Sequence, residues 1–468
     1  MAKVRKPKGL TRREFVNAGA LAAGAAALLP AGVARAASAA AAPAKAPAVG
    51  DVFWKQFSGT TLKVLMHDHP YPRGVWSRIG EFEKMTGIKV ETDMLAWPVY
   101  LQRSDLELSA GAGAYDFVWV VFVLTSRWIN AKWLAPLTPL MENPKITDKS
   151  LLALDDFAPK LLGTFRKDGT LYALPIMAGV NAMLCRTDIM AKIGLTAPPD
   201  TFDDLLAACK KVQSREVAGF LTRGNPPGLH WNYPVFLQGY GGNFFADPPK
   251  DMTPTLNAEA AVRSADLMAT LIREYSPPGA ANFDHPDWVP LYQMGKAAFV
   301  LEDDTWLTQA MDKAKSQVWD KIRVAHVPKG PVRRAPQLAV HGFGIPTNAR
   351  EKNAAWLLLQ WSTSQEMMNY VMEKQTYQGV TRTSVANSKA YKEMFTIGGG
   401  SLGAIRQEAF DTVQIAYRIV PEFVPIGDRV GIAIQQIATN QKTAKVAMDE
   451  AQKDVVEIIR KAGYKISL

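Results

Sequence analysis

The stretch TLKVLMHDHPYPRGVWSRIGEFEKMTGIKVETDML, residues 61–95, decides the fold. Leu62 to Met66 is an apolar run that reads as a strand. Val75, Ile79, Phe82 and Met85 then recur at helical spacing, and Gly87 ends that helix. Ile88 to Met94 alternates apolar with charged residues, as a strand does. A Leu-containing helix follows to Gly111, and YDFVWVVFV (115–123) is almost continuously apolar, the pattern of a strand covered on both faces of a parallel sheet. Repeated short βαβ units predict a doubly wound α/β domain, whose ligands lie outside the carboxyl ends of the strands. His67, Asp68 and His69 therefore stand at a ligand edge. Two imidazoles one residue apart on an extended backbone point the same way, which suits either the start of a metal site or the polar rim of a binding cleft.

The first 36 residues read as an export signal. A basic opening places Arg12-Arg13 before Glu14-Phe15-Val16, an Ala/Gly/Leu run leads to Pro30, and Ala34-Arg35-Ala36 offers a small-x-small cleavage site. The Thr-Arg-Arg-x-Phe-Val order resembles a twin-arginine signal. No Cys follows the run, which argues against a lipid anchor. Residues 37–57 read as a flexible Ala/Pro-rich lead. Seven Lys/Arg against Glu14 give the signal +6 of the formal +10, so +4 remains for the mature chain. That remainder is interspersed, which speaks against nucleic-acid binding.

The mature length suggests two domains. Cys185 and Cys209 are too few for a disulfide framework and wrongly spaced for zinc or iron–sulfur ligation; in an oxidising compartment they could pair, or stay as two buried thiols. Asp168-Gly169-Thr170 reads as a turn before the strand LYALPI. GVNAMLCRTDIM reads as a further strand leading into a helix, and Thr201 with Asp204 as a capping box. The last helix, 444–462, carries Ala447, Ala451, Val455, Ile458 and Ala462 on one face and stops at Gly463. GGGSLG (398–403) fits G-x-G-x-x-G but has no βαβ unit around it, so a flexible loop before a helix accounts for it better than a dinucleotide site. His230, His285, His326 and His341 are scattered singly, without H-E-x-x-H, and no G-x-S-x-G elbow occurs.

Segments along residues 60–464 resemble, in family order, the extracellular solute-binding proteins of the carbohydrate type, the maltose-binding-protein-like receptors of ATP-driven sugar importers. They are FEKMTGIKVE, LSAGAGAYDFVW, WLAPLTPLM, KDGTLYALPI, CRTDIMAKIGLTAPPDTFDDLLAACKKV, FLQGYGGNFF, YSPPGA, MGKAAFVLEDDTW, GFGIPTNAREKNAAWLLLQWSTS, GVTRTSV and EAQKDVVEIIRKAGY. VPEFVPIGDRVGIAI is similar to the branch that takes polyols and simple sugars. The resemblance implies two doubly wound α/β lobes joined by a multi-crossover hinge, the type II periplasmic binding-protein fold. The N-terminal lobe is expected over 58–178 plus 328–382 and the C-terminal lobe over 179–327 plus 383–468. It also implies a monomeric, non-catalytic periplasmic protein that passes a sugar or polyol to a permease in the inner membrane, with no cofactor or metal.

A polyhydroxy ligand needs paired donors and acceptors together with aromatic faces. The residues expected to supply them are His67, Asp68, His69 and Tyr71 after the first strand, then Trp97 and Phe122 on the next strand ends. Trp231, Asn232 and Tyr233 follow in the Pro/Gly-rich insertion, Asp303, Asp304 and Trp306 after FVLEDD, His341 and Phe343 flanking Gly342, and Arg382 in GVTRTS. Asp68 and Trp306 rank highest, and Trp119 ranks below Phe122. Where many relatives carry a carboxylate after the third strand, this chain has Val120-Val121-Phe122. The competing reading is a periplasmic carbohydrate-processing or metal-dependent enzyme using His67 and His69.

Overall fold

The computed structural model describes residues 50–413 and 420–467. The export signal and most of the flexible lead lie outside them. An eight-stranded sheet organises the chain: β1 (Thr61–His67), β2 (Lys89–Leu95), β3 (Phe117–Val120), β4 (Ala173–Arg186), β5 (Ala218–Leu221), β6 (Ala297–Asp303), β7 (Ile322–Ala325) and β8 (Leu338–Gly344). The strand order is β2-β1-β3-β8-β4-β6-β5, with β7 also on β4. β1 is parallel to β2 and β3, and β5 to β6, as the βαβ reading expects; β8 and β4 run antiparallel to their neighbours, so the sheet is mixed.

β4 holds the sheet together. Most of LYALPI and the first part of GVNAMLCRTDIM, expected as two strands, join in one strand of 14 residues, Ala173–Arg186, each of them buried, and the helix expected after it begins at Thr187. Its first part, to Val180, pairs with β8, and from Asn181 onward its partners are β6 and β7. A buried backbone must find all its hydrogen bonds within the protein, which fixes this partition.

The opening unit otherwise follows its pattern. Gly87 and Gly111 end their helices in the left-handed conformation at φ 72° and 65°. The expected single helix after β1 divides into Pro70–Trp76 and Ile79–Thr86, with the break at Arg78, whose guanidinium binds Glu81. Strand β3 stops at Val120, short of the apolar run, so Phe122 leaves the sheet. Thr201 and Asp204 form the capping box. GGGSLG does precede a helix, Leu402–Thr412, but as a hairpin: Gly398 and Gly399, at φ 56° and 79°, make the turn between Thr396–Ile397 and Gly400–Ser401. The last helix spans Ala444–Lys461, and its buried stripe is Ala447, Ala451, Val455 and Ile459; Ile458 is only half-buried and Ala462 exposed. Cys185 and Cys209 are free buried thiols.

Two hydrophobic cores flank the sheet. The first gathers β1, β3, β8 and the Trp-rich helix Lys352–Ser362. The second is built from the helices Pro226–Gly239, Glu259–Tyr275, Phe423–Ala438 and Ala444–Lys461. Residues of β6 divide between them: Ala297 and Val300 belong to the first, Ala298, Phe299 and Leu301 to the second.

Helix Phe423–Ala438 lies so close to Pro226–Gly239 that only glycine fits at the crossing. A Cβ on Gly431 would stand 2.8 Å from Pro226 Cα, and one on Gly427 2.8 Å from His230 Nδ1. Gly431→Ala is therefore expected to cost about 1–3 kcal/mol by overpacking, although alanine favours helix elsewhere. Urea unfolding measures it; an unchanged or raised midpoint would refute the close crossing.

Candidate functional site

The carboxyl ends of β1 and β3 and the middle of β8 bring rings together. His67 lies 5.0 Å from Trp97 and 5.7 Å from Trp119, and His69 lies 5.3 Å from Trp119. His341 touches Trp119, Trp97 and Phe122 at 5.1, 5.9 and 5.2 Å, all between ring centroids. Phe122 then meets Trp231 of helix Pro226–Gly239 at 5.4 Å. One aromatic and imidazole wall thus reaches from the first core to the second.

Hydrogen bonds set the protons on these imidazoles. His67 Nδ1–H donates to the Leu95 carbonyl (3.3 Å), which leaves Nε2 as an acceptor. His69 Nδ1 accepts from the Tyr71 N–H (3.4 Å), capping helix Pro70–Trp76. Trp119 Nε1–H donates to His341 Nδ1 (2.7 Å), so the His341 proton sits on Nε2. Burial lowers the pKa of His67, and burial with the neighbouring His67 and Arg73 charges holds His69 down to about 3. Near neutral pH the rings of His67 and His69 are uncharged. Among the described residues no group of three or more His, Cys, Asp or Glu is gathered to hold a metal ion.

Polar groups collect where β4 changes partners. Asn181 Nδ2 donates to Asn232 Oδ1 (2.9 Å), and Asn232 Nδ2 donates to Thr222 Oγ1 (2.8 Å) and Glu302 Oε2 (3.0 Å). Arg223, just past β5, grips Glu302 with Nε and Nη2 at 2.9 and 3.0 Å. Asp304 takes Arg406 at 2.6 Å and the Val180 N–H at 3.1 Å. Asp303 lies opposite Asn181 in the register, against Gly179, where a Cβ would stand 2.9 Å from its carboxyl carbon. Close by, the half-buried Trp306 stacks on His285 with centroids 3.8 Å apart and planes 9° apart.

Of the residues singled out by sequence, His67, His69, Trp97, Phe122, Trp231 and His341 form the wall, while Asn232, Asp303, Asp304 and Trp306 surround the polar end. Asp68 gives both oxygens to Arg73, at 2.6 and 2.7 Å, toward solvent. Four others do not join the site. Tyr71 is fully buried and donates to the Ser362 carbonyl (3.0 Å), and Tyr233 donates to the Ala261 carbonyl (2.9 Å). Phe343 packs against Phe117, 5.0 Å away, inside the first core. Arg382, fully buried, spends its guanidinium on the Thr363, Leu152 and Ala153 carbonyls and on Asp156. Sequence reasoning passed over Arg223, His285, Glu302 and Tyr377. Arg223 carried a signal, being a charge directly after the buried run AGFLT.

A family profile described as bacterial extracellular solute-binding protein matches residues 70–369, more than half of the chain. The chain belongs to that family. A mannitol-binding protein of Pseudomonas aeruginosa is 25% identical over 383 residues, covering 78% of this chain and 85% of the relative. An erythritol/L-threitol-binding protein of Mycolicibacterium smegmatis is 24% identical over 425 residues, covering 85% and 88%. A solute-binding protein of an ABC transporter from Agrobacterium radiobacter K84, solved in complex with ribitol, superposes with a TM-score of 0.75 at 21% identity, over 86% of this chain and 99% of that one. The architecture is accordingly the type II periplasmic binding-protein fold, and the solute-binding role follows from the family. No described helix is long and apolar enough to cross a membrane.

Arg382 separates a structural from a binding role. Arg382→Leu strips three buried carbonyls and Asp156 of their cation and is expected to cost about 3–5 kcal/mol of stability, with the solute affinity of the folded fraction unchanged. Denaturant unfolding with calorimetric titration checks this; full stability with lost affinity would return Arg382 to the site.

Proposed function

We propose that the protein is the periplasmic receptor of an ABC importer, and that it takes an acyclic polyol or simple sugar between two lobes. The contact of Phe122 with Trp231 carries the reading, because it joins a ring wall on one core to the helix beside Asn232 and Glu302 on the other. C–H faces of a polyol pack on Trp97 and Trp306, while its hydroxyls find the imidazole nitrogens and the carboxylates at the end of β6. Two relatives whose names specify mannitol and erythritol/L-threitol support the ligand class.

The lobes in this reading are 58–178 with 328–382 and 179–327 with 383–468, joined through the middle of β4 and the segments flanking β8. Export by the twin-arginine signal at Arg12-Arg13 delivers a soluble monomer to the periplasm, where a permease of the inner membrane accepts the closed form. The protein binds its solute without chemically changing it. A ligand that only the closed form contacts from both sides shifts the lobes toward closure.

Titration calorimetry with D-mannitol, ribitol, erythritol and maltose tests the reading. At least one is expected to bind, and Trp306→Ala to weaken that ligand by about five- to 150-fold, the equivalent of about 1–3 kcal/mol, at an unchanged melting temperature. Failure of all four to bind, or wild-type affinity in Trp306→Ala, would overturn it.

A further inference from the structure

Three consecutive carboxylates, Glu302, Asp303 and Asp304, close β6, and two of them have a cation of their own. Glu302 holds Arg223 and Asp304 holds Arg406. Asp303, only 6% exposed, receives the Thr305 N–H at 2.9 Å and the Thr305 hydroxyl, both on Oδ1. Among the described residues its Oδ2 has neither a donor nor a cation. Nearby, the Tyr377 hydroxyl is buried with no hydrogen-bond partner among the described residues, and it lies in the field of Asp303 and Asp304. The Tyr377 ring stands 5.9 Å from His69, at the edge of the ring wall. A buried hydroxyl without a partner is costly unless something arrives to pair it, and Asp303 Oδ2 beside it keeps room for a donor.

We infer that Asp303 is the specificity-determining acceptor for the hydroxyls of the solute, and that the solute is held only while this carboxylate is ionised. The inference rests on the polyol reading above and names the group that reads the ligand. Donation of two hydroxyls to one carboxylate is a charge-assisted arrangement that a neutral amide cannot reproduce.

The surroundings make this charge titratable in a useful range. Glu302 of β6 and Asp304, which opens the next helix, flank Asp303 as ion-paired anions. Arg223 past β5 and Arg406 of helix Leu402–Thr412 are committed to those anions, and Tyr377 and His285 are uncharged near neutral pH. Burial, then the Asp304 charge, push the Asp303 carboxyl up to about 7. His67, His69 and His285 are pushed the other way by burial, so they lose their charge below this range. With only the ionised form competent, apparent affinity scales with its population, and a group titrating at about 7 gives about a tenfold gain from pH 6 to pH 8.

Titration calorimetry of wild type and Asp303→Asn with D-mannitol at pH 6 and pH 8 tests the inference. The wild type is expected to bind about tenfold more tightly at pH 8. Asp303→Asn is expected to bind about ten- to 100-fold more weakly than wild type at pH 8 and to show no pH dependence. A flat wild-type profile, tighter binding at low pH, or wild-type affinity in Asp303→Asn would each overturn it. Absence of binding by wild type at both pH values would instead remove the polyol reading, and melting without ligand then decides whether Asp303 titrates at all. A carboxyl raised from its unfolded value stabilises the fold at low pH and loses that contribution as pH rises through about 7. The ligand-free wild type should lose melting temperature relative to Asp303→Asn between pH 5 and pH 8; parallel curves would contradict the inference.

Discussion

Every residue of β4 is buried, so its backbone groups need partners within the protein. Along the first part β8 supplies the partners; beyond Val180 the partners are β6 and β7. The exchange occurs within two or three residues, and the side chains there have no room for size. Gly179 gives way to Asp303, and Asn181 turns its amide to Asn232. A strand shared in this way carries contacts to both cores. The ring wall and the carboxylates gather at the same place because the ends of β3 and β6 and the centre of β8 all abut it.

The two sides of that place differ chemically. The rings on the side of β1, β3 and β8 are held in fixed tautomers by Leu95, Tyr71 and Trp119, which gives a rigid, uncharged surface with defined donors and acceptors. On the side of β6 the charges are dense but largely balanced, with Arg223 and Arg406 each assigned to one carboxylate. Buried pairs of this kind contribute little net stability, yet removing one partner is costly, so they fix geometry more than they stabilise. The remaining carboxylate, Asp303, is where that balance is left open. A neutral, hydroxyl-rich solute suits such a site better than an anion, which would meet three acids.

Periodicity made the first βαβ unit readable, because Leu62 to Met66 and Ile88 to Met94 carry their burial in their own pattern. The capping box at Thr201 and the glycine stops at Gly87 and Gly111 were readable for the same local reason. The mixed sheet was not, since nothing local tells a strand whether its neighbour runs parallel. For the candidate site, residues at or just past a strand end lie where the strand's direction carries them, as His67, His69 and Asp303 do. Tyr71 and Arg382 failed for a different reason. Their partners, Ser362 and Leu152, lie 291 and 230 residues away in sequence, and a tyrosine or arginine looks the same whether it faces a cleft or a set of buried carbonyls. Trp119 was underrated because the bond to His341 that turns its ring into the wall spans 222 residues.

Closure of two lobes around a solute at the centre of β4 is the claim on which the rest depends. Small-angle X-ray scattering of the purified protein, with and without a saturating ligand whose binding has been confirmed by calorimetry, measures it directly. The account predicts a smaller radius of gyration with ligand bound. Superimposable profiles in the two states would contradict it.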